Sequence, residues 1–143
     1  MIEAARVAEV MGGLLVLGTR IASVHDLSEA VAGGLPKQAL RSTAQRVYRQ
    51  GRDANQLMRK VVPEATYKRR TRLTPAESER TERLARVIAA AEHVWNDRHD
   101  AREWLISPHP ELNGQTPIEC GMTELGARRV EELLDRMFYG LPA

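Results

Sequence analysis

One helix-start signal occurs twice in this chain and constrains its fold more than any other feature of the sequence. Each copy is a Thr-Pro-x-Glu tetrapeptide, beginning at Thr74 and at Thr116. In such a capping box the threonine hydroxyl accepts a hydrogen bond from the backbone N–H three residues later, and the glutamate accepts one from the threonine N–H. Proline suits the first helical position because its missing N–H would have no partner there. The sequence therefore predicts a long helix from residue 75 and a brief one from residue 117.

The remaining segments also carry the patterns of helices. Apolar residues recur at spacings of three and four, and glycine or proline stands where such a pattern stops. We find no run with the alternation and the β-branched content of a strand. The sequence predicts an all-α fold, with further side-chain caps at Ser23, Asp53, Asp100 and Thr123. Gly51 is expected to end the helix that precedes Asp53. On the long helix we expect a water-facing set of Glu79, Arg80, Glu82 and Arg83, and on the last helix an apolar stripe of Leu125, Val130, Leu133, Leu134 and Met137. The predicted helices cover residues 2–11, 24–32, 36–48, 54–61, 64–70, 75–95, a short stretch that includes 104 and 105, 117–120 and 124–139, with a loop at 107–115.

Charge is distributed unequally between the two halves of the chain. Residues 1–72 carry 13 lysines and arginines against 6 aspartates and glutamates, whereas residues 73–143 carry 8 against 13. A basic half attracts polyanions such as DNA, and an acidic half repels them. We therefore predict two domains: a helical DNA-binding domain over residues 1–72 and a helical protein-binding domain over residues 73–143. A dipolar surface without a function is the alternative interpretation.

Residues 53–72 have the outline of a helix-turn-helix. Two short predicted helices flank Pro63, and a basic cluster occupies the second of them. A solvated helix end, favoured by the helix dipole, is the alternative reading of that cluster. We predict that this second helix and the residues after it lie at or near the major groove. The predicted DNA-binding residues are Thr66, Tyr67, Lys68, Arg69, Arg70 and Arg72.

The sequence carries no set of residues that would support catalysis or hold a metal. Its four histidines are scattered without the spacing of a metal site, and the glycines at 12, 13 and 18 match neither a dinucleotide fingerprint nor a phosphate loop. Cys120 is the single cysteine, which fits a reducing compartment and a buried thiol. The longest apolar run of the opening stretch, residues 14–17, is too short to span a membrane. We expect a cytoplasmic, non-enzymatic protein without a cofactor, a metal or a membrane partner.

Connected motifs in the back half resemble a known family. They read RHDA followed by Trp104-Leu105, then LNGQTP at residues 112–117, TELGA at residues 123–127 and a closing Tyr139-Gly140. In this order they resemble the toxin-binding domain of the Xre/MbcA/ParS family of bacterial type II antitoxins. The front half is similar to the Xre-type DNA-binding region through GLP at residues 34–36, TYKRR at residues 66–70 and LTPAES at residues 73–78.

The resemblance implies both a fold and a function. The fold is an N-terminal Xre-like helix-turn-helix bundle followed by a small helical toxin-binding domain. The function is that of an antitoxin paired with a RES-domain toxin, which depletes cellular NAD, together with autorepression of the shared operon. Helix-turn-helix repressors work as symmetric dimers on paired half-sites, so a homodimer on operator DNA is expected within the toxin-antitoxin complex.

We further predict that inhibition is steric. The helix at residues 123–139 and the terminal Leu141-Pro142-Ala143 would cover the entrance of the toxin's nucleotide pocket. For Arg128, Arg129 and Arg136, the alternative is that they belong to an ordinary solvent-exposed helix surface. A stand-alone transcription regulator, whose back half only oligomerises, and a protein-binding adaptor without DNA affinity are the alternative functions. The predicted toxin-binding residues are Glu124, Arg128, Arg129, Arg136, Tyr139, Gly140 and Leu141.

Overall fold

The computed structural model describes residues 2–140, and its regular secondary structure over that range is helical. The predicted all-α fold is confirmed. One 3-10 turn, Pro110–Leu112, lies inside the segment predicted as a loop. None of the helices in the described range is both long and apolar enough to cross a membrane. The helices are α1 (Ala4–Val10), α2 (Gly13–Leu17), α3 (Val24–Ala32), α4 (Gln38–Val47), α5 (Gly51–Val61), α6 (Glu64–Arg69), α7 (Pro75–Trp95), α8 (Arg98–Leu105), α9 (Pro117–Cys120) and α10 (Glu124–Phe138).

Helix α7 is the longest element and begins at the predicted capping box. The Thr74 hydroxyl accepts a hydrogen bond from the Glu77 N–H at 3.1 Å, and the Glu77 carboxylate accepts one from the Thr74 N–H at 2.9 Å. The helix ends at Asn96, whose backbone is left-handed (φ 53°). Helices α1, α3 and α4 from the front half and α8 and α10 from the back half all pack against α7.

The apolar side chains of α7 belong to a core shared by both halves. Leu84, Val87, Ile88 and Ala91 are at most 1% exposed, and buried side chains of α1 to α5 and of α8 to α10 join them. The predicted division of the chain between residues 72 and 73 falls just before this helix. Leu73 itself is buried in the same core. The division into two domains stays a prediction.

Local capping explains where the predicted helix boundaries agree with the structure and where they do not. Helix α3 has its predicted bounds, and the Ser23 hydroxyl accepts a hydrogen bond from the Asp26 N–H. The predicted cap at Asp53 is wrong, because α5 begins two residues earlier, at Gly51, which we expected to end the preceding helix. Asp53 lies instead in the first turn of α5, where a negative charge suits the helix dipole.

The other predicted aspartate cap is displaced by three residues. Asp97, rather than Asp100, caps α8 by accepting a hydrogen bond from the Asp100 N–H at 3.0 Å. Both aspartates are near the start of the helix in sequence, and only the one with an extended backbone can act as its N-cap. Helix α2, a single short element that follows Gly12, was not predicted at all.

Helix α10 approaches the end of α9 through a glycine that has no room for a side chain. Thr123 caps α10 as predicted, by accepting a hydrogen bond from the Gly126 N–H at 3.0 Å. A Cβ added to Gly126 would lie 1.8 Å from the carbonyl oxygen of Cys120. Cys120 is buried, as predicted. The predicted apolar stripe of α10 is partly wrong, because Leu125 is 69% exposed and Met137 36% exposed.

We expect Gly126→Ala to destabilise the fold by about 1 to 3 kcal/mol or more, because its methyl group collides with fixed backbone. Gly51→Ala is the matched control. A Cβ at Gly51 meets open space in a helical backbone, so alanine there should be neutral or stabilising by up to about 1 kcal/mol. Urea denaturation of both variants measures the difference. Equal stabilities would contradict the close approach of α10 to the α9 end.

Candidate functional site

The ring of Tyr67 joins α6 to α4 and supports two cations. The Lys37 ammonium lies 4.9 Å and the Arg41 guanidinium carbon 5.4 Å from the ring centroid. The Tyr67 hydroxyl donates to the Lys37 carbonyl at 3.1 Å, and the side chain is 7% exposed. Tyr67 thus supports its neighbours and offers no free side chain to DNA. Lys37 and Arg41 were not predicted as site residues, although their spacing of four residues signals a shared helix face.

The segment that follows α6 is tied to the segment that precedes α4. The Leu73 N–H donates to the Leu35 carbonyl at 2.8 Å, and the Arg72 guanidinium donates to the Gly34 carbonyl at 2.7 Å. Gly34 has a left-handed backbone, and a Cβ there would lie 2.6 Å from the Leu73 carbonyl oxygen. This close pairing fixes α6 beside the start of α4. It brings Lys37, Arg41, Lys68, Arg69 and Arg72 onto neighbouring elements, and we call these five residues the basic surface.

The other residues predicted for DNA contact differ in how free they are. Lys68 and Arg69 are exposed on α6, and the 3.7 Å pair between Lys68 and Glu64 joins two exposed side chains, a type of pair that contributes little stability. Thr66 is half-buried. Arg70 is also half-buried and pairs with Glu77 of the capping box. Lys68 and Arg69 are therefore exposed and could contact DNA, whereas Arg70 belongs to a structural ion pair.

The residues predicted for toxin contact fall into two groups at opposite ends of α10. At its start, the Glu124 carboxylate lies 3.4 Å from Arg83 and 3.8 Å from Arg128. The Arg129 guanidinium donates to the Glu111 carbonyl at 3.1 Å. These contacts join α10 to α7 and to the loop before α9. The fifteen residues of α10 rise by about 22 Å, so this group lies far from the end of the helix.

The second group lies at the end of α10 and is exposed as well. Arg136 is exposed, Tyr139 is 69% exposed, and Gly140 follows with a left-handed backbone that ends the helix. Phe138, which was not predicted, is 47% exposed and packs edge to face against Tyr139. An apolar, aromatic end with a neighbouring arginine has the composition of a protein-binding site. Leu141, predicted to belong to it, lies outside the described residues, as do Pro142 and Ala143.

A cluster of charges lies between α7 and α10 where sequence analysis expected a solvated face. Arg86 lies 3.1 Å from Glu131, 3.6 Å from Glu82 and 3.9 Å from Glu124. Arg83 pairs with Glu124 from the other side. Burial raises the pKa of Glu82 and of Glu131, and Arg86 opposes both shifts. The expectation that Glu82 and Arg83 face water is wrong, because α10 covers them.

A second network ties the front half to α7 and α8. The Arg46 guanidinium donates twice to the Glu92 carboxylate, at 2.7 and 2.9 Å, and this pair raises the pKa of Arg46. Glu9 of α1 lies 3.4 Å from Arg46 and 3.2 Å from Arg98. Four helices therefore meet at one ion-pair network. Within residues 2–140, no group of three or more histidine, cysteine or acidic side chains is placed to hold a metal.

The fold and these surfaces define an all-helical protein with a helix-turn-helix region and a second helical domain. Comparison with protein families identifies both parts. The antitoxin Xre-like helix-turn-helix domain matches residues 26–86, from α3 into α7. The antitoxin Xre/MbcA/ParS C-terminal toxin-binding domain matches residues 90–140, from the end of α7 to the end of α10. The two matches together span most of the chain, and the resemblance to Xre-type antitoxins that its motifs predicted is confirmed.

Two curated relatives agree with this assignment. The protein named Antitoxin Xre from Pseudomonas putida (strain KT2440) is 35% identical over 84 residues, which cover 56% of this chain and 53% of the relative. Antitoxin Xre from Yersinia enterocolitica is 37% identical over 71 residues, which cover 49% of this chain and 48% of the relative. The chain spans about half the length of these curated relatives. Helices α1 and α2 lie outside both family matches.

We expect Glu131→Gln to change how stability depends on pH. Burial raises the pKa of Glu131 above its ordinary value of 4.5, so the folded chain holds this proton more tightly than the unfolded chain. The free energy of unfolding therefore falls as the pH rises from the unfolded pKa to the folded one, and glutamine removes that component. Urea denaturation between about pH 4 and pH 7 should show the variant gaining stability relative to the wild type as pH rises.

Glu132→Gln is the control, since it removes the neighbouring, exposed carboxylate of the same helix. A pH-independent difference in the free energy of unfolding between a variant and the wild type reports lost contacts. A difference that changes with pH reports the titration of the carboxylate. If the trend were no larger for Glu131→Gln than for Glu132→Gln, burial would not hold the Glu131 proton.

Proposed function

We propose that this chain is an antitoxin that binds and blocks a RES-domain toxin, which depletes NAD, and that it represses its own operon by binding operator DNA. The observation that carries the proposal is the presence of a helix-turn-helix domain and a toxin-binding domain in one chain. On this proposal the chain is not an enzyme and acts in the cytoplasm. Residues 1–72 serve DNA and residues 73–143 serve the toxin, with no cofactor in either half.

The proposed DNA contacts lie on the basic surface. Lys68 and Arg69 are exposed on the short helix that follows Pro63, and Lys37 and Arg41 extend the positive charge onto α4. Arginine and lysine supply both phosphate contacts, which set affinity, and base contacts, which set specificity. Two copies of the surface, related by a two-fold axis, would read the paired half-sites of an operator. A homodimer is therefore part of the proposal.

The proposed toxin contact is centred on the end of α10. Tyr139 and Phe138 present exposed aromatic rings and Arg136 lies one turn before them. Tyrosine and arginine are enriched among the residues that dominate binding energy in protein interfaces. Together with Gly140 and Leu141 they would cover the entrance of the nucleotide pocket. Glu124, Arg128 and Arg129, at the start of the helix, would form the rim of the same interface.

For DNA, we expect Lys68→Ala and Arg69→Ala each to weaken binding to the region upstream of the operon. If the side chain neutralises a phosphate, each variant should also lower the salt slope by about one. Fluorescence anisotropy over a range of salt concentrations measures both quantities. Arg128→Ala, an exposed arginine of α10, is the charge-matched control and should leave affinity unchanged. Equal effects of all three variants would mean that the basic surface does not contact DNA.

For the toxin, we expect the double variant Arg136→Ala, Tyr139→Ala to lose neutralisation. Both side chains are exposed, so the fold should persist, and the lost binding energy should be about 2 kcal/mol or more if they are hot spots. Co-expression with the protein encoded beside the chain, scored by growth and by co-purification, tests this. The Lys68→Ala variant should still neutralise. Truncation after Gly121 should also abolish inhibition, although it additionally removes core residues of α10.

Growth rescue by the double variant would contradict the proposed contact at the end of α10. Loss of DNA binding without loss of neutralisation, and the reverse, would separate the two surfaces. DNA binding without any toxin complex would favour a stand-alone regulator whose back half only oligomerises. A toxin complex without salt-dependent DNA affinity would favour a protein-binding adaptor.

A further inference from the structure

A cleft separates α10 from helices α1 and α3 of the front half, and α7 forms its floor. Its volume is about 330 Å³. Apolar side chains form most of its walls: Val7 of α1, Leu27 of α3, Ala90 of α7, and Leu134 and Phe138 of α10. Small-molecule sites are clefts of about 300 to 1,000 Å³ with apolar walls and a few convergent polar groups, and they favour the junctions between domains. The cleft has the size, lining and position of such a site.

The charged side chains of the cleft are mostly acidic. Glu82, Glu131 and Asp135 line it, and Arg86 is the one guanidinium among its lining residues within the described range. Arg86 is already shared, since three carboxylates lie within 3.9 Å of it. The cleft therefore carries an excess of negative charge that its own arginine does not balance.

The polar atoms at the bottom of the cleft are buried without hydrogen bonds. Within the part of the chain that the structure describes, Glu82 Oε2, Glu131 Oε1 and Arg86 Nε have neither solvent contact nor a hydrogen-bond partner, although they lie at ion-pair distances from one another. Leaving a buried charged atom without a hydrogen bond is costly. The raised pKa of Glu82 and of Glu131 reflects the same burial. These two oxygens face the Arg86 Nε and have no surface to offer, so a cation in the cleft would have to reach the same carboxylates through their other oxygens.

We propose that this cleft binds a small organic cation, a protonated amine attached to an apolar chain or ring. The ammonium group pairs with Glu131 and Glu82 at the α7–α10 side. The apolar body packs against Val7, Leu27 and Leu134. A ligand of this kind contacts both halves of the chain at once. This site is separate from the proposed DNA contacts and adjoins the proposed toxin contact, because Phe138 and Tyr139 line it. Its existence does not depend on the antitoxin function.

The matched probes are three molecules with the same six-carbon chain: hexylammonium, hexanol and hexanoate. Titration of the full chain, followed by amide NMR shifts and by calorimetry, should show hexylammonium binding about tenfold or more tightly than hexanol, because only it forms charge-assisted hydrogen bonds with carboxylates. Hexanoate should bind least. The shifted amides should include those of Ala90, Glu131 and Leu134.

Two charge variants on the same helix locate the ammonium. Glu131→Gln should weaken hexylammonium binding about tenfold while hexanol binding stays the same, as expected for loss of one charged partner. Glu132→Gln removes a carboxylate that does not line the cleft and should change neither. Ala90→Leu narrows the cleft and should remove binding of both probes, with circular dichroism confirming that the helices remain.

Equal affinity for hexylammonium and hexanol would overturn the proposal, as would tighter binding of hexanoate or equal effects of the two glutamine variants. Amide shifts confined to other parts of the chain would overturn it as well. None of these measurements involves toxin or DNA, so failure of the cation site and failure of the proposed antitoxin function are distinguishable.

Discussion

The first turn of α7 is the interaction on which the rest of the structure depends. Glu77 caps the helix and also pairs with Arg70, so the same carboxylate fixes the segment that follows α6. One residue later, the buried Ser78 hydroxyl accepts a hydrogen bond from the Leu35 N–H at 2.9 Å, which fixes the segment before α4. The first turn of α7 thus holds both the segment before α4 and the segment after α6. Because these two segments flank the basic surface, the capping box that starts α7 also sets the position of that surface.

The same helix explains how one short chain could carry both of the proposed binding surfaces. Elements of the proposed DNA-binding half and of the proposed toxin-binding half pack along α7, and the Arg46–Glu92 pair joins α4 to the end of α7. A mostly buried, doubly hydrogen-bonded pair resists separation because each partner would be left unpaired. The proposed surfaces are thus carried by elements of a single packed core, and the cleft beside α10 lies between the two halves.

Local features were predictable from the sequence, and features that depend on tertiary packing were not. The Thr74 box and the caps at Ser23 and Thr123 act within four residues, so spacing alone reveals them. Asp53 and Asp100 were misassigned because several polar residues adjoin those helix starts. The charge cluster around Glu82 was missed because a helix that begins only at Glu124 covers it. Both family domains were predictable from their motifs, whereas the supporting role of Tyr67 required the geometry of α4.

The central claim is that this chain neutralises a RES-domain toxin by direct binding. The most direct test is to purify the protein encoded beside the chain and to measure its rate of NAD consumption while the chain is titrated into the reaction. The account predicts that consumption stops at a fixed stoichiometric ratio and that a stable complex of the two proteins forms at the same ratio. Undiminished NAD consumption in the presence of excess, folded chain would contradict the account.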